Sequence, residues 1–119
     1  MRVKDALGEF GEGLAADHLI ADGMTVIDRR WRCPLGELDL VAVDVDCLVV
    51  CEVKTRRSTA TGAPVEAVTR AKLVRLRRLA AAWLEAHGTL YPEIRIDVIG
   101  VLVPRGGSGP VLDHLRGVD

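Results

Sequence analysis

The stretch GELDLVAVDVDCLVVCEVKTRR, residues 36–57, constrains the fold more than any other part of the chain. LDLVAV and CLVVCEV are dense in Val and Leu, and Asp44 and Asp46 mark a reversal between them, which predicts a two-stranded hairpin. With Val45 and Asp46 as a two-residue turn, Asp44 faces Cys47, Asp39 faces Glu52 and Glu37 faces Lys54. Side chains alternate faces along a strand, so Glu37, Asp39, Glu52 and Lys54 are expected to share one side. Directly opposed Cβ atoms lie about 5 Å apart.

Carboxylates crowded in this way need a compensating cation. Like charges opposite one another on a sheet are destabilising, and burying them without a partner costs more. The remaining residues are apolar on both faces: Leu38, Leu40, Val49 and Val53 on one, Val41, Val43, Leu48 and Val50 on the other. Strands of this kind are normally covered by helices on both sides. A charged cluster at one end of such a hairpin predicts a divalent-metal site at the rim of a sheet. Mg²⁺ takes one or two carboxylates there, with waters and phosphate oxygens completing its shell. Lys54 would hold a phosphate or orient a water. The same residues also fit a surface ion-pair network in which Lys54 neutralises Glu37 or Glu52.

Around the hairpin the periodicity changes. Residues from about Lys4 to Ala21 read as an amphipathic helix with Leu7, Phe10, Leu14 and Leu19 near one stripe. Gly8, Gly11 and Gly13 weaken it by about 1 kcal/mol each relative to Ala, so they imply close approach to a sheet or a phosphate. Residues 24–31 predict a strand, with Trp31 as core or as a cover over the site. After a loop at 58–64, a second helix spans about Val65 to His87, with a break near Thr69 and a buried stripe of Leu76, Leu79, Ala80, Trp83 and Leu84. YPEIRIDVIGVLV predicts another strand and PVLDHL a short edge strand. Gly117 to Asp119 should fray, and His18 reads as a surface or packing residue.

At 119 residues the chain has room for one core, so residues 1–119 are expected to form a single domain. It has no apolar run long enough to span a bilayer and no signal-peptide pattern at its start. Cys33, Cys47 and Cys51 form no CxxC and read as packing residues of a protein from the reducing cytoplasm. The net charge of −1 argues against indiscriminate nucleic-acid binding. The basic residues are segregated, however: Arg29, Arg30 and Arg32 before the hairpin, Arg56 and Arg57 after it, and Arg70, Lys72, Arg75, Arg77 and Arg78 on the second helix. Such a face can track a phosphate backbone, or the arginines can simply solvate an exposed helix.

GELDLVAVD followed by VVCEVKTR resembles the Asp…Glu-x-Lys signature of the restriction-endonuclease-like nucleases, the PD-(D/E)xK group. A longer pattern is more specific: a helical G-E-x-x-A, then W-R-x-x-x-G-E-L-D-L, E-V-K-T-R and R-I-D-V. It covers about residues 8–100, and on it the chain resembles the YraN family of small bacterial proteins, related to Holliday-junction resolvases. The resemblance implies an α/β fold of order α-β-β-β-α-β-β, a restriction-endonuclease-like core in which a central mixed sheet is flanked by helices. It implies hydrolysis of a phosphodiester with Mg²⁺ or Mn²⁺. Asp39, Glu52 and the Val53 carbonyl would then be metal ligands, Lys54 the catalytic lysine and Glu12 a helical glutamate placing a water or second ion. Glu37, Arg95 and Asp97 would support the site electrostatically. Arg32, Arg56, Arg57, Arg70, Lys72, Arg75 and Arg78 would bind nucleic acid, DNA being the expected form. The family often has Asn where this chain carries Arg30, which puts any amide contact there in doubt. Two other readings fit the same residues: a nucleic-acid-binding protein without catalysis, and a structural module that forms a homodimer through its hairpin or an edge strand.

Overall fold

The computed structural model describes residues 3–60, 62, 63, 65 and 68–118, with side chains from residue 6 onward. Parts of the expected 58–64 loop, of the first turn of the expected second helix and of the C-terminal tail (Thr61, Pro64, Glu66, Ala67, Asp119) lie outside the described residues. The elements are α1 (Val3–Ala21), β1 (Thr25–Cys33), β2 (Gly36–Asp44), β3 (Cys47–Arg56), α2 (Arg70–His87), β4 (Glu93–Leu102) and β5 (Val111–Leu115). This is an α/β fold in the expected order, built on one five-stranded sheet with strands arranged β1-β2-β3-β4-β5. Only β3 and β4 are parallel, joined by the crossover through α2, so the sheet is mixed. Among the described residues no helix is long and apolar enough to cross a membrane.

The hairpin register is the expected one. Asp44 pairs with Cys47 and the ladder runs back to Leu40 opposite Cys51. Val45, the first turn residue, has φ 57°, a left-handed value that tight hairpins favour and that a β-branched residue tolerates poorly. Beyond Leu40 the ladder between β2 and β3 stops, while β2 stays paired to β1 as far as Gly36 opposite Cys33. Two expectations fail in that unpaired stretch. Leu38, expected on the Leu40 side, packs in the opposite cluster with Trp31. Glu37, expected opposite Lys54, forms an ion pair with Arg32 at 3.2 Å instead. There the end of β2 keeps only its pairing to β1, where Trp31 stands opposite Leu38 and Arg32 opposite Glu37, past the left-handed residue Arg30.

Each face of the sheet carries one core. Under α1, Ala15, Ala16 and Leu19 pack on Leu40, Ala42, Val49, Cys51, Ile99 and Val101. Under α2, Leu76, Leu79, Ala80 and Trp83 pack on Leu38, Val41, Leu48, Val50 and Ile96. α2 begins after Thr69, whose hydroxyl accepts from the Lys72 N–H at 3.2 Å, and ends at Gly88 with φ 61°. Phe10, expected in the buried stripe of α1, is half exposed. The face that meets the sheet is Gly11, Ala15, Ala16 and Leu19, because small side chains let the helix lie close.

Gly11 is the point of contact. A Cβ there would stand 1.9 Å from Thr55 Oγ1, whereas one on Gly8 or Gly13 would meet nothing within 4 Å. Gly11→Ala is therefore expected to destabilise by ~2 kcal/mol or more through overpacking, and Thr55→Ala in the same chain should recover much of that loss. Gly13→Ala should stabilise by about 1 kcal/mol through helix propensity. Urea melts of these variants provide the check, and equal effects of Gly11→Ala and Gly13→Ala would contradict the close approach.

Candidate metal and phosphate site

Beyond the last β2–β3 ladder pair, the carboxyl groups of Asp39 and Glu52 share a hydrogen bond. Asp39 Oδ2 also accepts the Val53 N–H at 2.9 Å. Glu52 is buried, with 5% of its surface exposed. Burial comes first in raising the Asp39 pKa, the Glu52 charge and hydrogen bond add to it, and the value is pushed up to about 8 against the pull of the Val53 N–H. Asp39 is therefore held in its protonated form well above the usual carboxylate range.

The cation on Glu52 comes from α2. Lys72 Nζ forms an ion pair with Glu52 Oε2. The sequence placed Lys72 on a nucleic-acid-binding face; the fold turns it onto the carboxyl pair. A signal for this was present in the sequence. The first turn of α2 holds Arg70 and Lys72 with no acid, against the helix dipole, which favours anions at that end.

Lys54 and Glu12 line one cleft of about 310 Å³, together with Leu7, Gly8, Val53, Thr55, Arg56 and Arg57. Val53 joins this cleft to the carboxyl pair, since its N–H is held by Asp39 while its side chain forms part of the wall. Glu12 is engaged on its other side by Arg30, whose Nε donates to Oε1 at 2.6 Å, and Arg30 also reaches Glu9 at 3.2 Å. Arg30 has φ 51°, a conformation that Asn adopts more readily than other non-glycine residues. Here Arg30 holds that conformation with two acidic partners, Glu12 and Glu9.

Arg95 and Asp97, expected to support the site, belong to a separate network on the α1 face of the sheet. Asp97 is fully buried. It accepts from Arg95 Nε at 2.8 Å, Arg95 Nη2 at 3.0 Å and the Gly117 N–H at 3.0 Å, and pairs with His114 Nε2 at 2.8 Å. Burial alone would raise its pKa, but these partners outweigh burial and hold it below the usual carboxylate value. Arg95 continues to Asp44 at 3.3 Å, and His114 Nδ1 lies 3.1 Å from His18 Nε2. His18 is thus tied into the interior rather than loose on the surface. The C-terminal segment is likewise anchored, with the Val118 N–H donating to the Ile96 carbonyl at 2.9 Å. Side-chain alternation sends Asp97 and Glu52 to opposite faces, so this network stabilises the sheet end and its tail without reaching the carboxyl pair.

The remaining basic residues surround the site at various distances. Arg56 and Arg57 stand on the cleft wall. Arg70 and Arg77 line a second hollow with Leu73, Val74 and Val118. Arg75 and Arg78 are exposed on α2, and Arg32 is held by Glu37.

The donor set fits a small hard cation in one specific way. Among the described residues no three His, Cys, Asp or Glu side chains converge to form a closed cage. Two carboxyls in contact, one of them carrying a removable proton, are instead the open set that Mg²⁺ or Mn²⁺ takes when waters and phosphate complete the shell.

Fold and site together define a small α/β protein whose mixed sheet ends in a partly buried acid pair, with a lysine from α2 on one acid and a basic cleft beside it. The chain belongs to the uncharacterised protein family UPF0102, the YraN family, whose profile matches residues 11–101. It is 58% identical over 118 residues to a UPF0102 protein of Beutenbergia cavernae, covering 99% of each chain. It is 56% identical over 119 residues to one of Kineococcus radiotolerans, covering 99% of this chain and 97% of the relative. It is 54% identical over 116 residues to one of a Nocardioides species, covering 98% and 93%.

Proposed function

We propose that this protein is a metal-dependent phosphodiesterase acting on nucleic acid, on a restriction-endonuclease-like core. The observation that carries the reading is the contact between Asp39 and Glu52, with Lys54 two residues further along β3 in a basic cleft. Asp39 and Glu52 would hold the ion, and the Val53 carbonyl is a third candidate ligand. A bound divalent ion supplies a Lewis acid for a phosphoryl oxygen and a more acidic water. Lys54 orients the attacking water and offsets the charge that develops on phosphorus. Arg56 and Arg57 hold flanking phosphates. Glu12, kept in place by Arg30, positions a water at the opposite wall of the cleft. DNA is the favoured substrate.

A second reading is a nucleic-acid-binding protein without catalysis. It is favoured by the ion pairs that already neutralise Glu52 and Glu12. One experiment separates the two: Mn²⁺ titration by calorimetry, followed by a cleavage panel of plain, flapped and four-way DNA and the corresponding RNA with Mg²⁺ or Mn²⁺. Metal binding with cleavage supports the phosphodiesterase. Binding of nucleic acid with no metal uptake and no product favours the second reading.

A further inference from the structure

Lys72 bridges α2 to Glu52, the buried member of the acid pair, and its position is costly to the helix that carries it. It lies three residues after the Thr69 cap, at the positive end of the helix dipole, where a cation is disfavoured. Its side chain is about one-third exposed while that of Glu52 is almost wholly buried, so the ammonium approaches the carboxylate from the solvent side. A divalent ion would enter by that same side and take the same Glu52 oxygen. Two cations on one oxygen repel strongly in a poorly screened setting. A lysine on a flexible four-carbon stem can yield.

Charge then decides where the ammonium goes. Two carboxylates and a divalent ion sum to zero, which leaves Lys72 without its carboxylate partner on the α2 side of β3, where it joins the positive charge of the cleft that Lys54, Arg56 and Arg57 line beside the same strand. The anion that such a cleft would accept is a phosphodiester. We propose that Lys72 is a metal-gated phosphate contact, which holds Glu52 while the site is metal-free and passes to a substrate phosphate oxygen when the ion takes Glu52. This rests on the phosphodiesterase reading and adds a positioning residue to it.

The experiment uses the full chain, its Lys72→Met variant and its Lys72→Arg variant, with thermal melts to verify folding. Mn²⁺ affinity is measured by calorimetry. Affinity for a short DNA duplex is measured by fluorescence anisotropy, in EDTA and in Ca²⁺, across a salt series. Lys72→Met should bind Mn²⁺ about tenfold more tightly, because a competing cation is gone. In Ca²⁺ it should bind the duplex about tenfold more weakly, with a salt slope smaller by about one. In EDTA its duplex affinity should match the parent. Lys72→Arg should keep a metal-dependent duplex contact, and it carries the test if Lys72→Met does not fold, because swapping a compact ammonium for a planar fork should alter the Ca²⁺ value and spare the EDTA value. An equal loss of duplex affinity in EDTA and Ca²⁺ would make Lys72 a permanent phosphate contact and overturn the gating. No loss in either would leave only an ion pair and overturn it as well. A parent protein that takes up no Mn²⁺ would overturn the phosphodiesterase reading itself, an outcome distinct from the other two.

Discussion

Lys54→Ala is expected to lower cleavage by about 100-fold or more while leaving metal binding intact or slightly stronger. The charge removed is one that repels an incoming ion, but it is also a donor aimed at charge developing in the transition state, and such donors contribute on that scale. Glu52→Gln should behave differently. It removes a candidate ligand, so metal affinity and cleavage should fall together. Were the residues of this region only a structural ion-pair network, neither variant would change metal uptake, and both would act through stability alone. Calorimetry, cleavage assays and thermal melts on the two proteins make the distinction. Parallel losses of stability without metal binding by the parent would remove the basis for the phosphodiesterase.

Asp39→Asn is expected to stabilise the metal-free protein and abolish its metal binding. The sign follows from the raised pKa. Folded Asp39 keeps a proton up to about pH 8 that the unfolded chain releases near 3.8. Its contribution to stability therefore declines as the pH rises from 3.8 towards 8 and levels off above that. At neutral pH the penalty is on the order of several kcal/mol, since every tenfold change in proton affinity corresponds to about 1.4 kcal/mol. An asparagine can reproduce the protonated acid, accepting from the Val53 N–H and donating to Glu52, without that penalty. The melting temperature should rise by about 5 °C or more at pH 7, and the gap between variant and parent should close as the pH approaches 4. Metal uptake by the parent should strengthen up to about tenfold per pH unit until pH 8, because the ion must displace this proton. A variant that melts at or below the parent temperature at pH 7 would show that Asp39 is ionised and held by its partners.

How much of this was legible beforehand follows from which interactions are local. The turn at Val45 and Asp46 and the alternation on either side of it are short-range, so the register from Asp44–Cys47 to Leu40–Cys51 could be read along the chain. The approach of Asp39 to Glu52 follows from extending that register by one pair. Helix α2 was equally open to reading, because its Thr69 cap, its stripe of Leu76, Leu79, Ala80 and Trp83, and its Gly88 terminus are all local signals. On α1, hydrophobicity points to Phe10 as a buried residue, whereas close packing on Thr55 selects the face of Gly11.

The partners of each charge were decided only by tertiary structure. Alternation predicted Lys54 opposite Glu37, but the β2–β3 ladder ends before them, and on the other edge of β2 Arg32 stands directly opposite Glu37 in the β1–β2 ladder. Lys72 reaches Glu52 only because the crossover helix lies on the face to which Glu52 points. Arg30 meets Glu12 because α1 covers the other face, and Asp97, one strand away, is turned to that face and closed in by Arg95, His114 and the C-terminal segment. By itself the sequence determined the strand register, the order of elements and the acids at the hairpin end, because periodicity and turn chemistry act over a few residues. Which cation answers each acid depended on how two helices pack across one sheet, since ion pairs form over distances along the chain that no local pattern records.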